Sequence, residues 1–436
     1  MRVRPLALAL AIPLSTAVVA RAQQDTSRGV RIGLTYQPGT KPAVVVLAVR
    51  GTMGDTVQAM LQRDLDYSDR VEVIGLPGTS AAATTQQLAG NINYAVWKSL
   101  GALAAIQVTL LPTGMHVSLH DVAKGKVAQE QDFTLEGAPG SDTWRLGVHA
   151  ASDEVERWIT GTRGIAQSRI LYVRGGRIYV VDTDGADDRA VSDPGTALSP
   201  AWSPSGRLIA YSVLTERGWR IALRDLTTGQ ARWLATASTG LNVTPVFSPD
   251  GNTLVYAHGE DAGTDLVAVD LASTGPGRRI TVGRGTDNTS PTFSPDSRRV
   301  AFTSGRSGHP EVYMADADGS NAELLTAFDF GDQNYRSNPD WSPDGRQIAF
   351  QSQINGQFQV MTINLRDRSV RQLTSEGINE DPAWAPDSRH LVFTSTRSGT
   401  KQLFVIDAES GRTRQLTHAG GSRLAAWSRI LAPSSK

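Results

Sequence analysis

The chain has 436 residues, with 43 basic and 43 acidic side chains, 42 Gly, 21 Pro and no Cys. At roughly 100–200 residues per domain, this length predicts two or three domains, or one domain and a repeat array. Balanced charge gives no basic footprint for gripping nucleic acid, and the lack of Cys excludes a disulfide scaffold, a thiolate metal site and a Cys nucleophile.

The chain opens with Met1-Arg2-Val3-Arg4, then runs from Pro5 to Ala20 with almost only apolar or small residues, broken by Ser15 and Thr16. Ala20-Arg21-Ala22 places small residues at the two positions a signal peptidase reads, and polar Gln23-Gln24-Asp25 follows. This predicts a secretory leader over residues 1–22, cleaved after Ala22. The apolar run is about 16 residues, short of the roughly 20 that a membrane span requires. Removal of Arg2, Arg4 and Arg21 leaves 40 basic residues against 43 acidic ones. No later stretch is apolar enough to span a membrane, so the expectation is an exported, soluble protein.

Residues 23–163 read as an N-terminal arm and a small α/β domain. Residues 23–42, with Gly29, Pro38, Gly39 and Pro42, look like a loose arm. Ala43 to Val49 is an unbroken apolar strand, and Thr56 to Ser68 an amphipathic helix with Val57, Met60, Leu61 and Leu65 on one face. Val71 to Ile74 reads as a strand and Ile92 to Leu100 as a helix. Three strands are then expected at Ala104 to Leu111, Met115 to Asp121 and Val127 to Leu135. Ser141 caps a long helix to about Thr160, with Gly161 and Gly164 as stop signals.

From residue 164 onward the chain repeats itself. Ser199-Pro200-Ala201-Trp202-Ser203-Pro204-Ser205-Gly206 returns as Thr244-Pro245-Val246-Phe247-Ser248-Pro249-Asp250-Gly251, and again from Ser290, Asn338 and Asp381, with a degenerate copy from Leu424. The aromatic falls at 202, 247, 293, 341, 384 and 427, in steps of 45, 46, 48, 43 and 43. A period in that range, built from short strands, is a propeller signature. Within each copy the aromatic ends a first strand, Pro-Asp-Gly makes a tight turn, and an apolar second strand such as Leu254-Val255-Tyr256 follows. A third strand ends at an Asp (Asp182, Asp225, Asp270, Asp407) and a short fourth closes the unit. Only nine residues follow Trp427, enough for one strand, while three strands without a first strand precede the first full copy. The C-terminal strand is therefore expected to complete the blade that begins near residue 168. The fold class is an α/β N-terminal domain followed by an all-β six-bladed β-propeller, over residues 164–436.

A catalytic engine is not legible. The sequence contains no Gly-x-Ser-x-Gly elbow and no His-Glu-x-x-His. Gly305-Arg306-Ser307-Gly308-His309 has the wrong spacing, and His116 and His120 share a strand face without an evident third ligand. Asp182-Thr183-Asp184-Gly185 and Asp316-Ala317-Asp318-Gly319 begin like calcium loops but lack the distant bidentate Glu, and read as turns. No catalytic residue, metal or cofactor is expected. What is left is surface: six polar segments that lead into the first strands and converge on one mouth of the ring. The candidate partner-binding residues there are Thr196, Leu241, Asn242, Thr244, Asp287, Asn288, Thr289, Ser290, Tyr335, Arg336, Asn338, Asn379, Glu380, Asp381 and Arg423.

Leader, small α/β domain and six-bladed propeller, in that order, resemble the TolB family, the periplasmic component of Tol–Pal systems. The most specific stretch is His149-Ala150-Ala151-Ser152-Asp153-Glu154-Val155, continuing to Thr160-Gly161 and Gly164. Asn288-Thr289-Ser290-Pro291 looks like the family's lead-in at its partner-binding mouth, and Val30-Arg31-Ile32 resembles its arm. The sequence departs from the family at Val46-Leu47-Ala48-Val49, which lacks a proline, and at Leu241-Asn242, where a His-Asn pair is usual. The resemblance implies a non-enzymatic adaptor whose propeller mouth binds the peptidoglycan-associated lipoprotein Pal and whose arm engages TolA. It further implies a role in outer-membrane integrity and envelope constriction during cell division, with colicins competing for the mouth in some hosts. The alternative reading is an exported propeller hydrolase, or the gating domain of a peptidase-like enzyme.

Overall fold

The structure is a computed structural model that describes residues 40–75, 92–236, 240–273, 275, 277–282, 286–326 and 335–431. The leader and Val30-Arg31-Ile32 lie outside the described residues. In the α/β unit, β1 (Ala43–Val46), α1 (Gly54–Tyr67), β2 (Glu72–Val73) and α2 (Tyr94–Ser99) precede β3 (Ala104–Leu111), β4 (Gly114–Asp121), β5 (Lys126–Thr134) and α3 (Asp142–Thr160). The sheet order is β2-β1-β3-β4-β5, with β1 parallel to both neighbours and the last three strands antiparallel. Alternation along the strands sends Val44, Val46, Ile106, Met115 and Val117 to one face, where they pack with Val57, Leu61 and Leu65 of α1 and Val148 and Val155 of α3. Val45, Leu47 and Ala105 point the other way, onto Trp97 of α2.

The first strand is shorter than its apolar run predicts, because the chain turns out of the sheet before α1. A Cβ on Gly54 would stand 2.1 Å from the Val49 carbonyl oxygen, so only glycine permits that approach. Each of the other helices starts on a side-chain cap. Asn93 accepts from the Val96 amide at 3.3 Å and Ser141 from the Trp144 amide at 3.4 Å. Gly161 ends α3 in the left-handed region, at φ 80°.

Among the described residues the remaining strands form six four-stranded antiparallel sheets. Blade two, for example, runs Thr196–Trp202, Leu208–Thr215, Gly218–Asp225 and Ala231–Trp233 from the channel outward. Blade one takes its inner strand, Arg423–Trp427, from the far end of the chain and pairs it with Arg169–Arg174. This removes the open edge that would otherwise separate first and last blades. The indole of Trp427 donates to Ser168 Oγ at 2.8 Å across that closure. Packing between blades is apolar on both faces, so the second and third strands carry near-continuous hydrophobic runs. Each such side chain contributes roughly 1.5–3 kcal/mol when fully buried.

Candidate functional site

In every blade the inner strand carries a β-bulge at one repeat position. Ser199-Pro200, Thr244-Pro245, Ser290-Pro291, Asn338-Pro339, Asp381-Pro382 and Leu424-Ala425 each sit where the pairing register shifts. The first residue of each pair has a positive φ, between 49° and 54°. Opposite them stand Tyr211, Tyr256, Phe302, Phe350, Phe393 and Tyr172, all buried. Two residues facing one bends the strand, and proline, having no amide proton, fits the unpaired slot. The repeated small-residue–Pro signature is thus a bulge signature, and it turns six short side chains into the mouth of the channel.

The mouth is a cavity of about 270 Å³ lined by these residues. Its side chains bond to one another: Ser290 Oγ donates to Asn338 Oδ1 at 2.9 Å, and Asn338 Nδ2 donates to Asp381 Oδ1 at 2.6 Å. The Ser290 amide donates to Thr244 Oγ1 at 3.3 Å. Below the bulges, Asp340 accepts from the Trp384 amide at 2.7 Å and from Thr292 Oγ1 at 3.3 Å. Burial pushes the Asp340 and Asp381 carboxyls up to about 6.

The fifteen residues expected at the mouth occupy four repeat positions, with Thr289, Glu380 and Arg423 two before the proline position and Arg336 three before it. Four before the proline are Thr196, Leu241, Asp287, Tyr335 and Ile378, which stand at the rim. Of these, Leu241, Tyr335 and Ile378 are exposed at 36%, 47% and 36%, and the sequence reading had not singled out Ile378. One before the proline, Thr244, Ser290, Asn338 and Asp381 line the cavity. Three before it, Asn242, Asn288 and Asn379 are buried, at 1%, 0% and 0%. These asparagines hold the lead-in segments from beneath. Asn242 donates to the Trp219 carbonyl and Asn288 to the Thr264 carbonyl. Arg306 reaches Asn288 Oδ1 at 3.1 Å while lying over the Phe302 and Tyr313 rings. Arg397 repeats this on Asn379, at 3.2 Å, over Phe393 and Phe404. Arg336 is tied to Glu311 at 2.7 Å and Glu380 to Lys401, while Thr289 is half-buried and Arg423 is exposed.

At the opposite end of the blades lies a charged seam with the α/β unit. His149 Nδ1 is 2.8 Å from Asp64 of α1 and its Nε2 is 3.6 Å from Asp182 of blade one. His390 Nδ1 is 2.8 Å from Asp387 of blade six and its Nε2 is 3.4 Å from Asp69, just after α1. The clusters Asp64, His149, Asp184 and Asp69, His390, Asp407 have metal-like spacing. Arginines already supply the positive charge there. Arg145 and Arg63 bond Asp184, and Arg389 and Arg412 bond Asp407 and Asp69. These donor sets therefore fit ion pairing and not a cation.

On the sheet face that carries α2, Ser118 Oγ lies 3.1 Å from His116 Nε2, and His116 Nδ1 lies 2.7 Å from Asp132. The order resembles a hydrolase triad, yet Ser118 sits mid-strand, paired with Gln107 and Glu130, and ladder bonds occupy the backbone that would have to cradle an oxyanion. His120 bonds instead to Tyr94 and Gln107.

The sequence model of the TolB beta propeller domain matches residues 156–431. The chain belongs to the TolB β-propeller family. A Tol-Pal system protein TolB from Polaromonas sp. (strain JS666) is 30% identical over 216 residues, 47% of each chain. The TolB of Gluconobacter oxydans is 28% identical over 287 residues, 62% of this chain and 60% of that one. The chain thus spans about half the length of the curated relatives it matches. The crystal structure of TolB from Acinetobacter baumannii, 25% identical, superposes with a TM-score of 0.74 over 90% of this chain and 98% of that chain. That breadth takes in the α/β unit as well as the propeller, so both parts of the expected fold class are present. Among the described residues, no helix is long and apolar enough to cross a membrane.

Proposed function

We propose that this TolB-family chain is a non-enzymatic periplasmic adaptor of a Tol–Pal system. In this reading residues 1–22 are a leader cleaved after Ala22, residues 23–163 form the arm and α/β domain, and residues 164–436 the propeller. The propeller mouth binds the peptidoglycan-associated lipoprotein Pal, and the arm around Val30-Arg31-Ile32 engages TolA. Together these contacts support outer-membrane integrity and constriction of the envelope in cell division.

The observation that carries this reading is the construction of the mouth. Its rim presents Leu241, Tyr335 and Ile378 to solvent around a polar cavity, with buried Asn242 and Asn379 beneath the first and last and the Arg336–Glu311 pair beneath Tyr335. Aromatic and aliphatic anchors on a rigid support are what a protein partner needs for binding energy without ordering cost. The arm assignment has its own test. Deleting residues 23–36 should abolish binding to the soluble C-terminal domain of TolA while Pal still binds. Retained TolA binding by the shortened chain would remove the arm from the proposal.

A further inference from the structure

The seam is built twice on one plan. In each half a buried imidazole lies between a carboxylate of the α/β unit and a carboxylate of the propeller: Asp64–His149–Asp182 in one half, Asp69–His390–Asp387 in the other. Both rings are almost fully enclosed, at 0% and 1% exposure. His390 has a carboxylate oxygen within hydrogen-bond distance of each nitrogen and satisfies both only as the imidazolium, since the neutral ring has one donor and one acceptor. His149 has Asp64 at one nitrogen and, at the other, Asp182 at 3.6 Å beside the Arg145 guanidinium at 3.5 Å.

The groups facing His149 are Asp64 and Arg63 of α1, Arg145 of its own helix, Asp182 and Asp184 of blade one, and Arg169 beside them. Those around His390 are Asp387, Arg389, Asp407 and Arg412 of blade six and, from the α/β unit, Lys41, Asp66, Asp69, Arg70 and Glu156. Between the two halves runs the connection from α3 to blade one. Asp153 of α3 accepts from the amides of Ala166 and Gln167 at 2.7 and 3.0 Å. Gly164 passes so close that a Cβ would stand 2.5 Å from both the Asp153 and Glu156 carboxylates. The connection is clamped by the same acidic helix face that borders the seam.

We propose that this seam is a proton-gated hinge, closed by two charged imidazolium bridges and opening, with the propeller still folded, as pH rises above the ordinary imidazole value and the opened rings release their protons to solvent. Four buried groups act in one direction. Against their burial, Asp69, Asp182 and Asp387 are held low by their cations and stay ionised throughout, and Arg414, which faces Asp69 and Asp184, is lowered by burial only to about 10. Burial works against a charged His149, but Asp64 and Asp182 override it and raise the ring to about 10. His390 is likewise raised by Asp387 and Asp69 against its burial. Burial raises Asp153 to about 8 and Glu156 to about 7, the latter against the pull of Arg70. For each, the folded value lies above the unfolded one, so its contribution is complete at low pH and is lost as pH rises through the folded value. Rising pH removes positive charge from the seam and adds negative charge beside it.

The connection offers its own reporter, because Arg163 is exposed and lies between α3 and blade one. Trypsin cleavage of the full chain at Arg163, normalised to a flexible peptide at each pH, should accelerate at least about tenfold between about pH 7 and about pH 9.5. The near-ultraviolet circular dichroism of the propeller tryptophans should hold over that range. His390→Gln should cleave fast already at about pH 7, and the milder Asp69→Asn should move the acceleration to lower pH. Histidine-ring NMR should find two rings still protonated at about pH 8, above the ordinary value of about 6.5. A normalised rate that stays flat, a dichroism loss that follows the same curve, or all rings titrating near the ordinary value would overturn the hinge.

Discussion

At the level of single residues, the repeat position one before the proline carries two demands at once: a left-handed backbone and a side chain that bonds its neighbour across the channel. Asn338 meets both, with φ 52° and bonds to Ser290 and Asp381. Replacing it with Ala strands two half-buried partners and puts a Cβ without local hydrogen bonding in the left-handed region. A loss of about 1–3 kcal/mol in the denaturant-unfolding free energy is expected. Asp381→Asn should behave differently. The folded carboxyl is raised to about 6 by burial, so ionisation opposes folding as pH rises past that value. The variant should gain on the order of 1 kcal/mol over the parent at about pH 8 and nothing at about pH 4, measured by denaturant midpoints. Sequence reading placed Asn242, Asn288 and Asn379 among the mouth residues because they are polar and precede strands. Their fixed offset, three before each proline, was the available signal that they answer to the scaffold; buried, they position the rim.

At the level of the element, the blade was legible because its chemistry is periodic: an aromatic, a turn, an apolar run, a terminal Asp. The turn explains its own letters. In blade four Ser294 Oγ donates to Asp296 at 2.6 Å and accepts from the Arg299 amide at 2.9 Å, closing the turn from inside. The bulge was not legible, since a proline after a small residue is equally compatible with a plain strand start. Nor was the second use of the strand-end Asp. Asp225 pairs with Arg207 in its own blade, whereas Asp182 also receives Arg145 and His149 from a helix distant in sequence. Burial raises Asp182, and the surrounding cations hold it well below the usual carboxylate range. Blade closure makes a contrast between tryptophans. Trp427→Ala removes a side chain 8% exposed that anchors the C-terminal strand and should cost about 3–5 kcal/mol. Trp233→Ala, on an outer strand and 45% exposed under Arg220, should cost below about 1 kcal/mol. Thermal melts of the two variants check this, and equal losses would mean that closure does not depend on the final strand.

Over the whole molecule, the two ends of the propeller have different physics. The mouth is a shallow polar cavity with an apolar rim, suited to a partner that comes and goes. The seam is dense with ion pairs whose worth depends on staying dry and charged, so it reports on protons and on domain separation. The order of parts along the chain was readable from the sequence; the seam was not, because its members are scattered from Lys41 to Arg412 and no local pattern joins them. His149 and Asp153, both within the stretch that most specifically resembles the family, are the ones that bridge the seam and clamp the connection. The central claim is that the mouth is the Pal-binding face. Calorimetric titration of the chain from residue 23 onward with the soluble domain of the same organism's Pal tests it most directly, run beside a Leu241→Ala, Tyr335→Ala, Ile378→Ala triple variant. The account predicts micromolar or tighter binding, at least about tenfold weaker in the variant, with an unchanged melting temperature. No binding by the parent chain, or equal affinity in the two, would contradict it.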